Sequence, residues 1–183
     1  MAKKKSMSGK KLLLTFVELV LAVVAFFMIF APSIVIDNND VVEVFKGFGL
    51  PTQFTGADVA FGYAYSKTII ITTTLNVFGS SFMAMLPYIL LVVAAALALI
   101  KLIVRPLNNT IVKLIMFVCF LAAGVLFIVG NNFIVVHDDL KKAVEFLGIN
   151  VAETFKITTG YIVAAVLSFL GVVDVLADII IKK

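Results

Sequence analysis

The stretch FMAMLPYILLVVAAALALIKLIV, residues 82–104, decides the class of this chain, because its only charge is Lys101. A run of about 20 apolar residues, rising 1.5 Å each, crosses a hydrocarbon core ~30 Å thick. Comparable runs occupy 12–36, 111–136 and 157–181. The chain therefore reads as an all-α membrane bundle, a single integral membrane domain with four transmembrane helices. Between the spans lie a long connecting segment at 37–81, a short link at 105–110 and a second long segment at 137–156.

Composition points the same way. Of 183 residues, 62% are hydrophobic and only 14% charged, with a mean hydropathy of +1.16. That is far from the usual soluble mixture and leaves no room for a separate soluble domain. The net charge of +4 is not a nucleic-acid footprint, because of where the basic residues fall. Lys3, Lys4, Lys5, Lys10 and Lys11 precede the first span, Lys101, Arg105 and Lys113 surround the short link, and Lys182 and Lys183 follow the fourth. The two long segments instead combine Lys46, Lys67, Lys141, Lys142 and Lys156 with Asp37, Asp40, Glu43, Asp58, Asp138, Asp139, Glu145 and Glu153. Basic residues near span ends stay on the cytoplasmic side, so both termini are expected there, in a plasma membrane. The excess of Lys over Arg suggests a bacterial source. The first span reads as an uncleaved signal anchor, since Ile29-Phe30-Ala31 is a poor cleavage site.

Local patterning gives the outer segments structure. Val59, Phe61, Tyr63 and Tyr65 alternate with smaller or polar residues, as do Ile69, Ile71, Thr73 and Leu75 after Ser66-Lys67. Period-two alternation on both sides of a short break predicts a β-hairpin, with Val41–Phe45 as a third strand. The expectation is a small extracellular β-sheet formed by the first outer loop. In the second segment, Asp138 or Asp139 caps a short helix over Leu140–Leu147 that Gly148 stops. Asn150 with Glu153 resembles a capping box, which would start the fourth helix near Val151. Small residues at Gly160, Ala164 and Ser168, and at Ala94 and Ala98, mark faces for close helix packing.

Ionisable residues inside spans are rare and point to function. Glu18, Asp174 and Asp178 qualify, and Lys101 and Lys113 enter from the inner ends of the second and third spans. All four helices thus bring charge to one layer. Read simply, the cluster pairs and fixes helix rotation; read as chemistry, Glu18 and Asp174 line a path for protons or cations. His137-Asp138-Asp139 falls short of a zinc ligand set, and Cys119 reads as a buried hydrophobe. There is no paired Cys, phosphate loop, Gly-x-Ser-x-Gly or His-Glu-x-x-His. No catalytic residue, cofactor or metal is expected, and the chain is not read as an enzyme.

Four spans, inside termini, a long strand-bearing first outer loop and a shorter second one resemble the claudin-like tetraspan layout. The claudin signature Trp and loop Cys residues are absent, as the chain has no Trp and its one Cys lies in a span. What the resemblance implies is a small outer sheet resting on a left-handed bundle, a shape suited to contacts between proteins. The function expected is scaffolding or protein interaction through that sheet and the bundle faces. Phe45, Phe54, Phe61, Tyr63 and Tyr65 are candidates for its surface, or for the core that keeps the sheet folded. A small oligomeric transporter or channel using the acidic cluster, and an accessory subunit of a larger membrane complex, are the alternatives. Expected partners are the lipid bilayer and other membrane proteins or a second copy, with no nucleic acid and no identified small-molecule or ion substrate.

Overall fold

Pro32 ends the first apolar run as a helix. The computed structural model describes residues 9–68, 72–104, 109–145, 148 and 154–181. Helix α1 (Gly9–Phe27) tightens into a 3-10 turn at Met28–Phe30, and Ala31 is extended. A proline disfavours helical backbone in the residue before it. Pro32–Ile36 is then strand β1, so the last part of the expected 12–36 span is sheet.

The next segment holds two helices where strands were expected. Asn39–Phe48 is helix α2, not a strand over Val41–Phe45. Asn38 caps it, its side chain accepting from the amides of Asp40 at 3.0 Å and Val41 at 3.2 Å. Val41 and Phe45, four apart, form its buried face, and Gly49 ends it in the left-handed region at φ 72°. Strand β2 (Gln53–Thr55) leads into helix α3 (Gly56–Phe61), which takes Val59 and Phe61 out of the expected hairpin. A reciprocal cap fixes its start: the Asp58 amide donates to Thr55 Oγ1 at 3.2 Å, and the Thr55 amide to Asp58 Oδ2 at 2.7 Å.

The hairpin itself pairs strand β3 (Tyr63–Thr68) with strand β4 (Thr72–Phe78). Ser66 and Lys67 lie inside β3, opposite Thr74 and Thr73, and are not its turn. The connection falls on 69–71, outside the described residues, as do the expected strand positions Ile69 and Ile71. Helix α4 (Phe82–Ile103) and helix α5 (Thr110–Ile128) follow. The third span was expected to reach Val136, but α5 stops before Gly130-Asn131-Asn132, where a 3-10 turn takes over. Helix α6 (Asp138–Glu145), strand β5 (Phe155–Ile157) and helix α7 (Thr159–Ile180) complete the order. The fourth long helix therefore starts at Thr159, with strand before it. The Asn150–Glu153 cap and the Val151 start lie outside the described residues.

Helices α1, α4, α5 and α7 are each long and apolar enough to cross a membrane. Large apolar side chains stand exposed along all of them, among them Leu13, Val92, Val118 and Val173. Lipid tails, as apolar as leucine, solvate such a surface as water cannot. The chain is a multi-pass membrane protein with a small antiparallel sheet.

Two compact units divide it. The bundle unit takes the described residues of Met1–Phe26, Pro87–Val125 and Ala164–Lys183; the loop unit takes Phe27–Leu86 and Leu126–Val163. Within the bundle unit, Ala22, Ala94, Ala98, Ala164 and Ser168 are buried together with Leu91, Met116 and Phe120. Small residues of this kind let helix backbones approach closely.

Within the loop unit, strands run in the order β2-β1-β5, beside the two-stranded β3-β4 hairpin. The sheet thus draws on both connecting segments and on the end of the first apolar run, not on the first loop alone. Ile34 of β1 stands between Phe54 and Ile157. Four aromatic rings join the two sheets. Phe54 meets Phe78 at 4.7 Å, Tyr63 at 5.5 Å and Phe155 at 6.5 Å, and Phe78 meets Phe155 at 5.3 Å, all edge to face. That geometry favours the ring quadrupoles and adds to the apolar burial.

Candidate functional site

Each helix of the bundle unit contributes one buried charge to a single chain of ion pairs. Lys101, in the last turn of α4, reaches Glu18 of α1 at 2.6 Å and Asp178 of α7 at 3.0 Å. Lys113, in the first turn of α5, reaches the other oxygen of Asp178 at 2.9 Å. Charges therefore alternate in the order Glu18, Lys101, Asp178, Lys113, and all four residues are buried. In a low dielectric such a chain persists only when each ion is both paired and hydrogen-bonded.

Local structure explains why these positions carry it. The ammonium of Lys101 stands at a helix C-terminus, where the backbone dipole favours positive charge. Lys113 stands at an N-terminus, where the dipole opposes it. A second bond offsets this: Lys113 Nζ donates to the Asp178 carbonyl oxygen at 2.7 Å. That carbonyl belongs to the last turn of α7, whose carbonyls lack partners within a regular helix. One lysine thus ties the start of α5 to the end of α7.

The sequence placed five residues in this layer, and the structure brings four of them into contact. Asp174 stands apart from the ion pairs of the described residues. It is half-buried, one turn before Asp178, and within electrostatic range of Asp178, Lys101 and Glu18. Its Oδ2 is buried without a hydrogen-bond partner among the described residues, and so is Oε1 of Glu18. The reading as a path had singled out Glu18 with Asp174; the reach of the lysine side chains selects Asp178 as the paired acid.

The aromatic candidates of the loop unit separate. Phe45 and Phe54 are core, at 2% and 1% exposure, and Phe54 is the centre of the aromatic cluster. Neither can form an interaction surface. Tyr63 packs on Phe54, and burial, helped by the neighbouring Asp58 carboxylate, holds its phenol above the usual range. Phe61 is 64% exposed and Tyr65 half-buried, so these two remain available. Phe78 and Phe155, which complete the core, were not singled out in the sequence. Their signal is long-range, since Phe155 enters from a different connecting segment.

His137, Asp138 and Asp139 serve a helix boundary. The Asp139 amide donates to His137 Nδ1 at 3.3 Å, and Asn76 of β4 donates to Asp139 Oδ2 at 3.0 Å. Lys141 donates to Asp138 at 3.1 Å and holds that carboxyl below the usual range. Among the described residues, no three His, Cys, Asp or Glu side chains are placed to hold a metal ion.

Strand β3 offers a different kind of site. Among the described residues it pairs with β4 alone and is an edge of the two-stranded sheet. An edge strand presents a row of backbone donors and acceptors that a further strand can pair with. By contrast, the other edge of β4 pairs at its C-terminal end with residues 135–137, the Gly79 amide donating to the Val135 carbonyl at 2.8 Å and the His137 amide to the Val77 carbonyl at 3.0 Å. Compared with protein-family models, curated proteins and solved structures, the chain matches none.

Proposed function

We propose that this chain is a non-enzymatic bacterial membrane protein that scaffolds or assembles with other proteins through its loop unit. The observation that carries the reading is the open edge of β3, a six-residue strand on a unit with its own aromatic core. Addition of a partner strand to such an edge gives affinity through backbone bonds, and neighbouring side chains supply specificity. Exposed Phe61 and half-buried Tyr65 are the side chains at hand. The ion-pair chain of the bundle supports the same reading, because both ammonium groups are committed to helix-to-helix bonds. The distribution of basic residues supports a plasma-membrane topology with both termini in the cytoplasm and the two long connecting segments outside.

The test is photo-crosslinking in native membranes from a cysteine-linked probe at Ser66→Cys. A discrete adduct, to a partner or to a second copy, is expected. Adding Ala64→Pro should abolish it, because proline blocks pairing along a strand. A chain that yields no adduct and remains monomeric in mild detergent would overturn the proposal.

A further inference from the structure

Among the described residues, the bundle interior holds more carboxylates than ammonium groups. Among these residues, Glu18, Asp174 and Asp178 face only Lys101 and Lys113, so that set, fully ionised, carries one negative charge in excess. No other described residue of the bundle interior supplies the missing cation or donor. Lys10 is exposed and Lys11 half-buried at the start of α1. The buried Thr15 hydroxyl donates a hydrogen bond to the Lys11 carbonyl at 2.9 Å. The ion pairs account for Glu18 Oε2 and for both carboxylate oxygens of Asp178. What remains is Oε1 of the wholly buried Glu18 and Oδ2 of Asp174, two acceptors with no partner among the described residues.

We propose that Glu18 and Asp174 together bind one exchangeable proton, which closes the charge balance of the cluster. Carboxylates within range of one another in a low dielectric do not all stay ionised, and a single shared proton relieves them. The step is a carboxylate taking up a proton to become a carboxylic acid; no other bond changes. A proton fits better than a metal cation, because no three His, Cys, Asp or Glu side chains among the described residues are placed to hold one. Among the described residues, the charged groups facing the site are Glu18 from α1, Lys101 from α4, Lys113 from α5 and Asp174 and Asp178 from α7. Half-buried Asp174 is the point of exchange and sealed Glu18 the inner acceptor.

Infrared spectroscopy of the full chain in lipid vesicles tests this, and its outcome is independent of any partner at β3. At neutral pH the wild type should show a carboxylic-acid C=O band that moves in D2O. Carboxyl-labelled Asp or Glu should shift it, without any mutation. Asp174→Asn, which breaks no ion pair of the described residues and keeps the side-chain shape, should remove the band; Asp37→Asn should leave it intact. The proposal is overturned by a wild type with no such band at neutral pH. It is equally overturned by a band that survives both Asp174→Asn and Glu18→Gln.

Discussion

Lys101 is bonded to two carboxylates on two other helices, so its loss is felt well beyond one side chain. Lys101→Met should destabilise the bundle by about 3–5 kcal/mol, the usual consequence of leaving buried partners unpaired. A thermal melt in detergent would show it, and Asp174→Asn should leave the same midpoint nearly unchanged. An equal loss in both variants would contradict the bonding order described above. Gly160 makes a comparable point about shape. A Cβ there would lie 2.8 Å from the Pro32 carbonyl oxygen and 3.0 Å from that of Ala31. Gly160→Ala should therefore destabilise the loop unit by about 1–3 kcal/mol, as overpacking does, and speed amide exchange in β1. At this scale the charges were legible in the sequence because lipid makes them rare. Which acid pairs was not: Asp174 and Asp178 share a helix face, and the choice depends on how far a lysine reaches. Gly160 was read as part of a packing stripe, whereas its close neighbour is the backbone at the start of β1.

Helices α2 and α3 show how capping overrules composition. The run Val41-Val42-Glu43-Val44-Phe45 has the β-branched content of a strand, and alternation at Val59 and Phe61 suggests another. Asn38 before one and Thr55 with Asp58 in the other supply local bonds that only a helix start uses. Thr55→Ala should cost about 1 kcal/mol and raise hydrogen exchange over 56–61 first, with β3 and β4 following little. Phe54→Ala should be more severe, about 3–5 kcal/mol for a buried aromatic, and should loosen both sheets together because its ring touches each. Exchange that rises in only one sheet would show that the cluster does not couple them. Strand β5 was not legible at all, since three residues pairing with β1 across more than a hundred positions leave no local pattern. At the start of α6, the Lys141 bond depresses the Asp138 carboxyl, so its small stabilisation is complete above the ordinary carboxylate range. It fades as pH falls through the lowered value, which exchange over α6 would follow.

Over the whole molecule, the apolar runs announced four long helices, because length and hydropathy are properties of composition rather than of contact; the distribution of lysines predicts an orientation. Single cysteines tested with a membrane-impermeant reagent check the orientation. Ser66→Cys should label from outside intact cells, Ser8→Cys only after permeabilisation, and the reverse pattern would invert the topology. The limits of the spans were less legible: Pro32 and the Gly130-Asn131-Asn132 turn hand apolar residues over to the loop unit, where hydrophobicity alone cannot tell sheet from span. The ion-pair chain also has a consequence for biogenesis. Asp178 is synthesised after all three of its fellow charges, so until α7 reaches the bilayer Lys113 lacks its carboxylate partner and Lys101 has one of its two, Glu18. A nascent chain halted before α7 therefore presents an unmatched ammonium group within its membrane helices, the kind of defect by which quality-control proteases select orphaned membrane segments for destruction.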